Sequence, residues 1–192
     1  MTNFYLVRHG HRDPLPGDPA LNAVGLAQAE RTASHLAEIN VDAIYSSPLT
    51  RARQTMEPLA ARLGLPVIED VRLRERANFG DVPGQTMDEF VGMWAECDAD
   101  RSFVPITGLS AQANGERAEA WMREVYALHP AGTVVAGTHG GTITDFLLNR
   151  FTEDELLSRC PHLRHMPNCA ITLVTFDGVS FAIEILASSI HL

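Results

Sequence analysis

The sequence predicts an α/β protein: a three-layer α/β/α sandwich with a mostly parallel sheet, a C-terminal antiparallel hairpin at its edge and a small insertion over the site. Three observations carry this reading. Short apolar runs alternate with stretches of helical periodicity between residues 4 and 68, and again between 117 and 148. The last two apolar runs flank Asp177-Gly178, a dipeptide that favours a two-residue hairpin. Between the alternating stretches, from about 80 to 112, Gly80, Pro83, Gly84, Pro105 and Gly108 break the rhythm and mark an insertion.

Each element has its own signal. Phe4 to Val7 is an apolar run that stops at Arg8-His9-Gly10 and gives way to a loop rich in Pro and Gly. Asn22 is a good N-cap, and Leu26, Ala29, Ala33, Leu36 and Ala37 keep helical spacing to about Asn40. Ala43 to Tyr45 is a second strand. Ser46-Ser47-Pro48 then predicts a helix start, with Ser as cap and Pro in the first turn. That helix is expected to reach Leu63, to kink at Pro58 and to end on Gly64. Val67-Ile68 begins a third strand. One helix is expected between Met87 and Cys97, and another from Arg117 to Leu128, where Trp121 and Met122 fall on the core face. Thr133 to Ala136 is a fourth strand, followed by Gly137-Thr138-His139-Gly140-Gly141 and a helix through Phe146 and Leu148. Ala170 to Phe176 and Ser180 to Leu186 form the hairpin.

Composition narrows the class. Lys and Arg number 15 against 24 Asp and Glu, a formal charge of −9 over 192 residues. An acid excess argues against nucleic acid and against an anionic membrane surface, which both need a basic footprint. With 45% hydrophobic and 20% charged residues the chain is a folding one, and its length suits a single domain over residues 1–192 with a cap at about 80–112. Cys97, Cys160 and Cys169 have no metal-like spacing, and an odd count suits a reducing compartment. Residues 1–8 lack a basic stretch followed by a long apolar one, and no later run approaches the roughly 18 apolar residues of a membrane span. A soluble, cytoplasmic protein is expected; the sequence implies no oligomeric state.

In parallel α/β sheets, ligands bind beyond the carboxyl ends of the strands. His9 follows the first strand and His139 the fourth, each beside glycine. Gly140 opens a helix, whose free N–H groups favour an anion. Arg51 lies on the first turn after the second strand, and Glu75 follows the third. Two imidazoles, guanidiniums from Arg8 and Arg51, and one acid suit a phosphate ester. Arginine binds phosphoryl oxygens bidentately, a neutral imidazole can attack phosphorus, and a carboxylic acid can protonate a leaving oxygen.

These residues carry a resemblance. Arg8-His9-Gly10, Ser46-Ser47-Pro48-Leu49-Thr50-Arg51-Ala52, Glu75 ahead of Phe79-Gly80 and Gly84, and Thr138-His139-Gly140-Gly141-Thr142-Ile143 resemble the histidine phosphatase superfamily, the phosphoglycerate mutase-like group, in order and over nearly the whole chain. The resemblance implies His9 as a nucleophile that becomes phosphohistidine, and Glu75 as proton donor and then base. It implies Arg8, Arg51 and a protonated His139 around the phosphoryl group, with the Gly140 amide as a further donor. It implies no metal and no cofactor. Family members often carry Thr two residues after the Gly and an Asn soon afterwards. Here His11-Arg12-Asp13-Pro14 stands instead and no Asn occurs before Asn22, which makes His11 and Arg12 candidate substrate contacts. The expected activity is a metal-independent hydrolase of a small phosphorylated metabolite. The alternatives are mutase-type phosphoryl transfer and a non-catalytic phosphate-binding regulator.

Other residues have plainer readings. Arg53 is placed to pair with Glu57 at i+4; Arg74 and Arg76 flank Glu75, where solvation is the plain reading and substrate contact by one of them the alternative; His162 and His165 are expected on a loop surface, with the pocket mouth as the alternative. Trp94 and Phe103 fit either a cleft wall or a minor core under the cap. His9-Gly10-His11 has a metal-like spacing but lacks clear carboxylate partners.

Overall fold

The computed structural model describes residues 1–192 and contains one six-stranded sheet. Its strands are β1 (Thr2–Arg8), β2 (Ala43–Ser46), β3 (Val67–Glu69), β4 (Thr133–Thr138), β5 (Ile171–Phe176) and β6 (Phe181–Ser188). The helices are α1 (Ala23–Leu36), α2 (Thr50–Leu63), α3 (Met87–Ala99), α4 (Ala111–Leu128), α5 (Gly140–Arg150) and α6 (Glu153–Arg159). The sheet order is β3-β2-β4-β1-β5-β6. The first four strands of that order run parallel, β5 is antiparallel to β1, and β6 is antiparallel to β5.

Alternation along the strands sorts side chains to two cores. Phe4 and Leu6 of β1, Tyr45 of β2 and Val134 of β4 face α4 and α5, where Trp121, Met122, Ile143 and Phe146 are fully buried. The Trp121 ring meets Phe4 and Tyr45 edge-on at 5.8 and 5.4 Å. Val7, Ile44 and Val135 face the other way, onto Ala33 and Leu36 of α1 and Met56 and Leu59 of α2. Helices therefore cover both faces, giving the three-layer sandwich. No helix is long and apolar enough to cross a membrane.

The strand order positions the site. β4 lies between β1 and β2, so the carboxyl ends of β1, β4 and β2 emerge side by side at the point where the order reverses. Arg8 pairs with Thr138, and Ser46 with Gly137. One residue further on, the His9 N–H donates to the Thr138 carbonyl (2.9 Å) and the Ser47 N–H to that of Gly137 (2.8 Å). His9, Ser47 and His139 thus leave the sheet together.

Several helix ends depart from the sequence reading. α2 begins at Thr50, not at Ser46-Ser47-Pro48, because Ser46 completes β2. Its cap comes from a distant loop: the Asp18 carboxylate accepts the Thr50 N–H at 2.8 and 3.0 Å. The helix is continuous through Pro58 and ends on Gly64 at φ +67°. α4 starts six residues earlier than periodicity alone suggests, at Ala111, with Ser110 accepting the Ala113 N–H (3.1 Å). α6 has a full start signal that the sequence reading passed over, Thr152 followed by Glu153, Asp154 and Glu155. Within residues 80–110 the one long element is α3, capped by a reciprocal Thr86–Glu89 box, and its only buried side chain is Cys97.

The loop after β1 crosses the first turn of α1 at two glycines. A Cβ on Gly10 would come 2.8 Å from the Gly25 carbonyl oxygen, and one on Gly25 would overlap the His11 backbone. Alanine inside a helix gains up to about 1 kcal/mol over glycine, whereas overpacking costs about 1–3 kcal/mol. Gly25→Ala is therefore expected to lower the urea midpoint with an unchanged m-value; a raised midpoint would show that the crossing can relax.

Candidate active site

The strand ends border a cavity of about 350 Å³. Arg8, His9, Arg51 and Glu75 line it, and His11 and Arg12 form part of its rim. His139 is fully buried behind His9, with the two rings 5.3 Å apart and inclined at 61°. Gly140 does not line the cavity. It lies under the Arg8 side chain, where a Cβ would sit 3.5 Å from the guanidinium stem.

His9 is held from both sides. Its Nδ1 lies 2.8 Å from the Gly10 carbonyl, which can only accept. Nδ1 therefore carries the proton, and Nε2 keeps its lone pair. The His9 carbonyl in turn accepts from the Asn168 amide (3.0 Å) and the Cys169 N–H (3.3 Å). The Gly10 N–H donates to Thr55 on α2 (2.9 Å), which ties the loop to the helix that carries Arg51. His139 is oriented by Ser47, whose hydroxyl lies 2.8 Å from Nε2. The Ser47 oxygen also accepts the Leu49 N–H (3.3 Å), which fixes the hydroxyl at Nε2 and leaves Nδ1 as the ring's other nitrogen. That Nδ1 has no protein partner.

Burial pushes both imidazoles well below the ordinary histidine pKa, and the charge on Arg51 pushes them further down. Both causes favour the neutral form of the two rings in the free protein.

The guanidiniums carry the positive charge. Arg51 is 2% exposed. Its Nη2 donates to Asn78 (3.2 Å), Nη1 stands 3.6 Å from the Asp18 carboxylate, and Nε has no partner. Burial, then the neighbouring Arg12 charge, brings its pKa down to about 10, so it stays protonated at neutral pH. Arg8 donates through Nη1 to the Met166 carbonyl and has a free, buried Nε. Arg12 spends Nη1 on the carbonyls of Asp13 and Leu15 (3.0 and 3.1 Å) and has no carboxylate partner. Buried donors left over on arginines make a receiver for an anion.

Glu75 follows a 3₁₀ turn at Val71–Leu73. Its carboxylate accepts the Gly141 N–H at the start of α5 (3.1 Å), its neighbour's N–H (Arg76, 3.1 Å) and the Thr142 hydroxyl (3.3 Å).

The site also contains residues that the sequence reading did not select. Asn78 and Asn168 line the cavity, where the stretch after His9 offers no Asn, and Ser47 orients His139. Neither Asn has a spacing signal; each reaches the site only through the fold. Trp94, with Phe90 and Phe79, forms an aromatic wall, whereas Phe103 does not border the cavity. Arg76 is buried and ion-paired, contrary to its expected solvation. Arg53 pairs with Glu57 (3.4 Å), and His162 and His165 are exposed. His11 turns its Nδ1 to Asn22 (2.8 Å), and no three His, Cys, Asp or Glu side chains gather as a metal-holding group.

A mostly parallel sheet that collects imidazoles, half-paired guanidiniums and one carboxylate at its carboxyl ends offers the donor types that suit a phosphoryl group. The chain belongs to the histidine phosphatase superfamily (branch 1), whose family model matches residues 4–188. The 2,3-bisphosphoglycerate-dependent phosphoglycerate mutase of Rhizobium rhizogenes is 30% identical over 174 residues, covering 80% of this chain and 82% of the mutase. PhoE of Bacillus subtilis, described as an uncharacterized phosphatase, is 38% identical over 96 residues, 46% of this chain and 49% of PhoE. The match spans about half the length of PhoE and of two Mycobacterium tuberculosis proteins matched at similar identity. Among solved structures, mycobacterial glucosyl-3-phosphoglycerate phosphatase with inorganic phosphate superposes with a TM-score of 0.75 at 25% identity, covering 99% of both chains.

The electrostatics of the free site are testable. The His9 imidazole, followed by NMR, is expected to stay neutral to well below pH 6.5. Arg51→Gln removes the second cause of that shift, so the titration should move upward toward pH 6.5. A His9 midpoint near 6.5 in the wild-type chain would contradict this account.

Proposed function

We propose that the chain is a phosphatase that hydrolyses a small phosphate monoester through a phosphohistidine on His9. The observation that carries the reading is the Gly10 carbonyl on His9 Nδ1 (2.8 Å), which leaves the Nε2 lone pair free on a residue that lines the cavity together with Arg8 and Arg51. In the first step Nε2 attacks phosphorus and the ester P–O bond breaks. Protonated Glu75 gives its proton to the departing oxygen. Arg8 and Arg51 neutralise the charge on the phosphoryl oxygens, and His139 behind His9 completes the phosphate pocket. In the second step the Glu75 carboxylate takes a proton from water as that water attacks phosphorus. The P–N bond breaks, phosphate leaves, and His9 and Glu75 return to their starting states.

A cavity of about 350 Å³ suits a small phosphorylated metabolite, because pockets for larger organic ligands extend to about 1,000 Å³. The likeness to a glucosyl-3-phosphoglycerate phosphatase supports hydrolysis. A second reading, return of the phosphoryl group to another hydroxyl, draws on the mutase relative and uses the same residues.

Incubation with p-nitrophenyl phosphate should release nitrophenol in the presence of EDTA and label the protein with an acid-labile, base-stable phosphoryl group. His9→Ala should lose both. Glu75→Gln should lower kcat/KM on an alkyl phosphate by about 10²–10⁴-fold. Full activity of His9→Ala, or loss of activity in EDTA, would refute the reading. With 3-phosphoglycerate and a trace of the bisphosphate, free phosphate is expected, and accumulation of 2-phosphoglycerate would establish the mutase instead.

A further inference from the structure

Arg76 follows Glu75 directly, but its side chain leaves the cavity and enters the protein. It is 2% exposed. Its Nη1 lies 3.0 Å from Asp145 of α5, its Nη2 lies 2.5 Å from Asp98 of α3, and its guanidinium covers the Trp94 ring of α3 at 3.9 Å. Asp145, 1% exposed, also takes the Asn114 amide (2.9 Å), while Asp98 also pairs with Arg164 (3.4 Å). One buried guanidinium thus joins the segment after Glu75, the helix whose N-terminus holds the Glu75 carboxylate, and the helix that walls the cavity.

Those attachments bear on the site at two points. The Arg76 N–H and the Gly141 N–H are two of the three donors to Glu75, and the Arg76 side chain fixes the segment and the helix that present them. Trp94 turns one side to the cavity and has Arg76 stacked over its ring. Cys97 is the only buried residue of α3, and beside Arg76 the helix is held by the Phe90–Phe79 contact and the Asp98–Arg164 pair.

We propose that Arg76 is a positioning residue of the reaction: without touching substrate, it fixes both the Glu75 carboxylate and the Trp94 wall. The proposal rests on the phosphatase reading above. It separates Arg76, whose two Nη groups are spent on carboxylates outside the cavity, from Arg8 and Arg51, which line the cavity with unpartnered donors.

The test compares two leaving groups, because a nitrophenolate departs with little help from an acid whereas an alkoxide needs the proton. Arg76→Met with Asp145→Leu replaces the buried pair by apolar side chains, a type of exchange that is often neutral for stability. On kcat/KM, which covers steps up to the phosphoenzyme, glycerol 2-phosphate should lose about 10–100-fold and p-nitrophenyl phosphate less than about threefold. In a Glu75→Gln background the same pair of substitutions should leave the ratio of the two unchanged, because Arg76 acts through Glu75. An equal loss on both substrates, or a further change of ratio without Glu75, overturns the proposal. Should the double variant fail to fold, Asp98→Ala decides: it removes the acceptor that links α3 to Arg76 on a partly exposed side chain, and KM for both compounds should rise. An unchanged KM overturns the proposal. A wild-type chain that hydrolyses neither compound overturns the phosphatase reading itself; an active wild type with unselective variants overturns only the role of Arg76.

Discussion

The site depends on keeping Arg51 charged in a place that is nearly dry. Burial draws its pKa down to about 10, which still leaves it protonated at neutral pH, and its field helps to hold His9 and His139 neutral. The surrounding groups steady the cation without cancelling it. Asn78 contributes a neutral amide oxygen, and Asp18 stands 3.6 Å away with its carboxylate already committed to Thr50. A close bidentate carboxylate would have occupied the donors that an anion needs. The sheet order serves the same end, since only the adjacency of β1, β4 and β2 places α2's first turn beside both histidines.

Two populations of arginine sit within one strand-end loop system. Arg8 and Arg51 have carbonyl or amide partners and spare buried N–H groups. Arg76 has two carboxylates and an aromatic face, and Arg72 is locked between Asp70 and Glu124. Buried guanidiniums matched by carboxylates hold elements together; those matched by dipoles keep their field for something else. The −9 formal charge of the chain therefore coexists with a positive cavity, because the acid excess stands elsewhere and Glu75 is the one carboxylate on the cavity wall.

Much of this was legible in the sequence because its signals are local. Arg8-His9-Gly10 and Thr138-His139-Gly140-Gly141 each join a strand end, a catalytic residue type and a turn within a few positions. The strands, the layers and the hairpin at Asp177-Gly178 likewise follow from periodicity over short windows. What escaped is non-local. Asp18 caps a helix 32 residues away, Asn168 reaches the His9 carbonyl across 159 residues, and Ser47 was read as a helix cap although it serves His139. Arg76 looked like a surface charge because its partners, Asp98 and Asp145, are 22 and 69 residues distant. α6 is different: Thr152 and the three acids after it were a local signal that the sequence reading passed over.

The choice of partner for His9 completes the electrostatic logic. Attack by Nε2 on phosphorus, in the proposed transfer, places positive charge on the ring, and the Gly10 carbonyl on Nδ1–H gains strength as that charge grows. A carboxylate in the same position would stabilise the charged ring more, but it would also raise the pKa of the free imidazole and protonate the nucleophile before substrate arrives. It would further set a negative charge against the incoming phosphoryl group. A backbone carbonyl supplies the differential stabilisation without either cost. Glu75 is held by backbone donors instead, the Gly141 and Arg76 N–H groups, which fix its carboxylate on the cavity wall for the proton transfers of the proposed reaction. The site thus sets both groups of the proposed transfer with backbone partners: a carbonyl on the His9 imidazole and N–H groups on the Glu75 carboxylate.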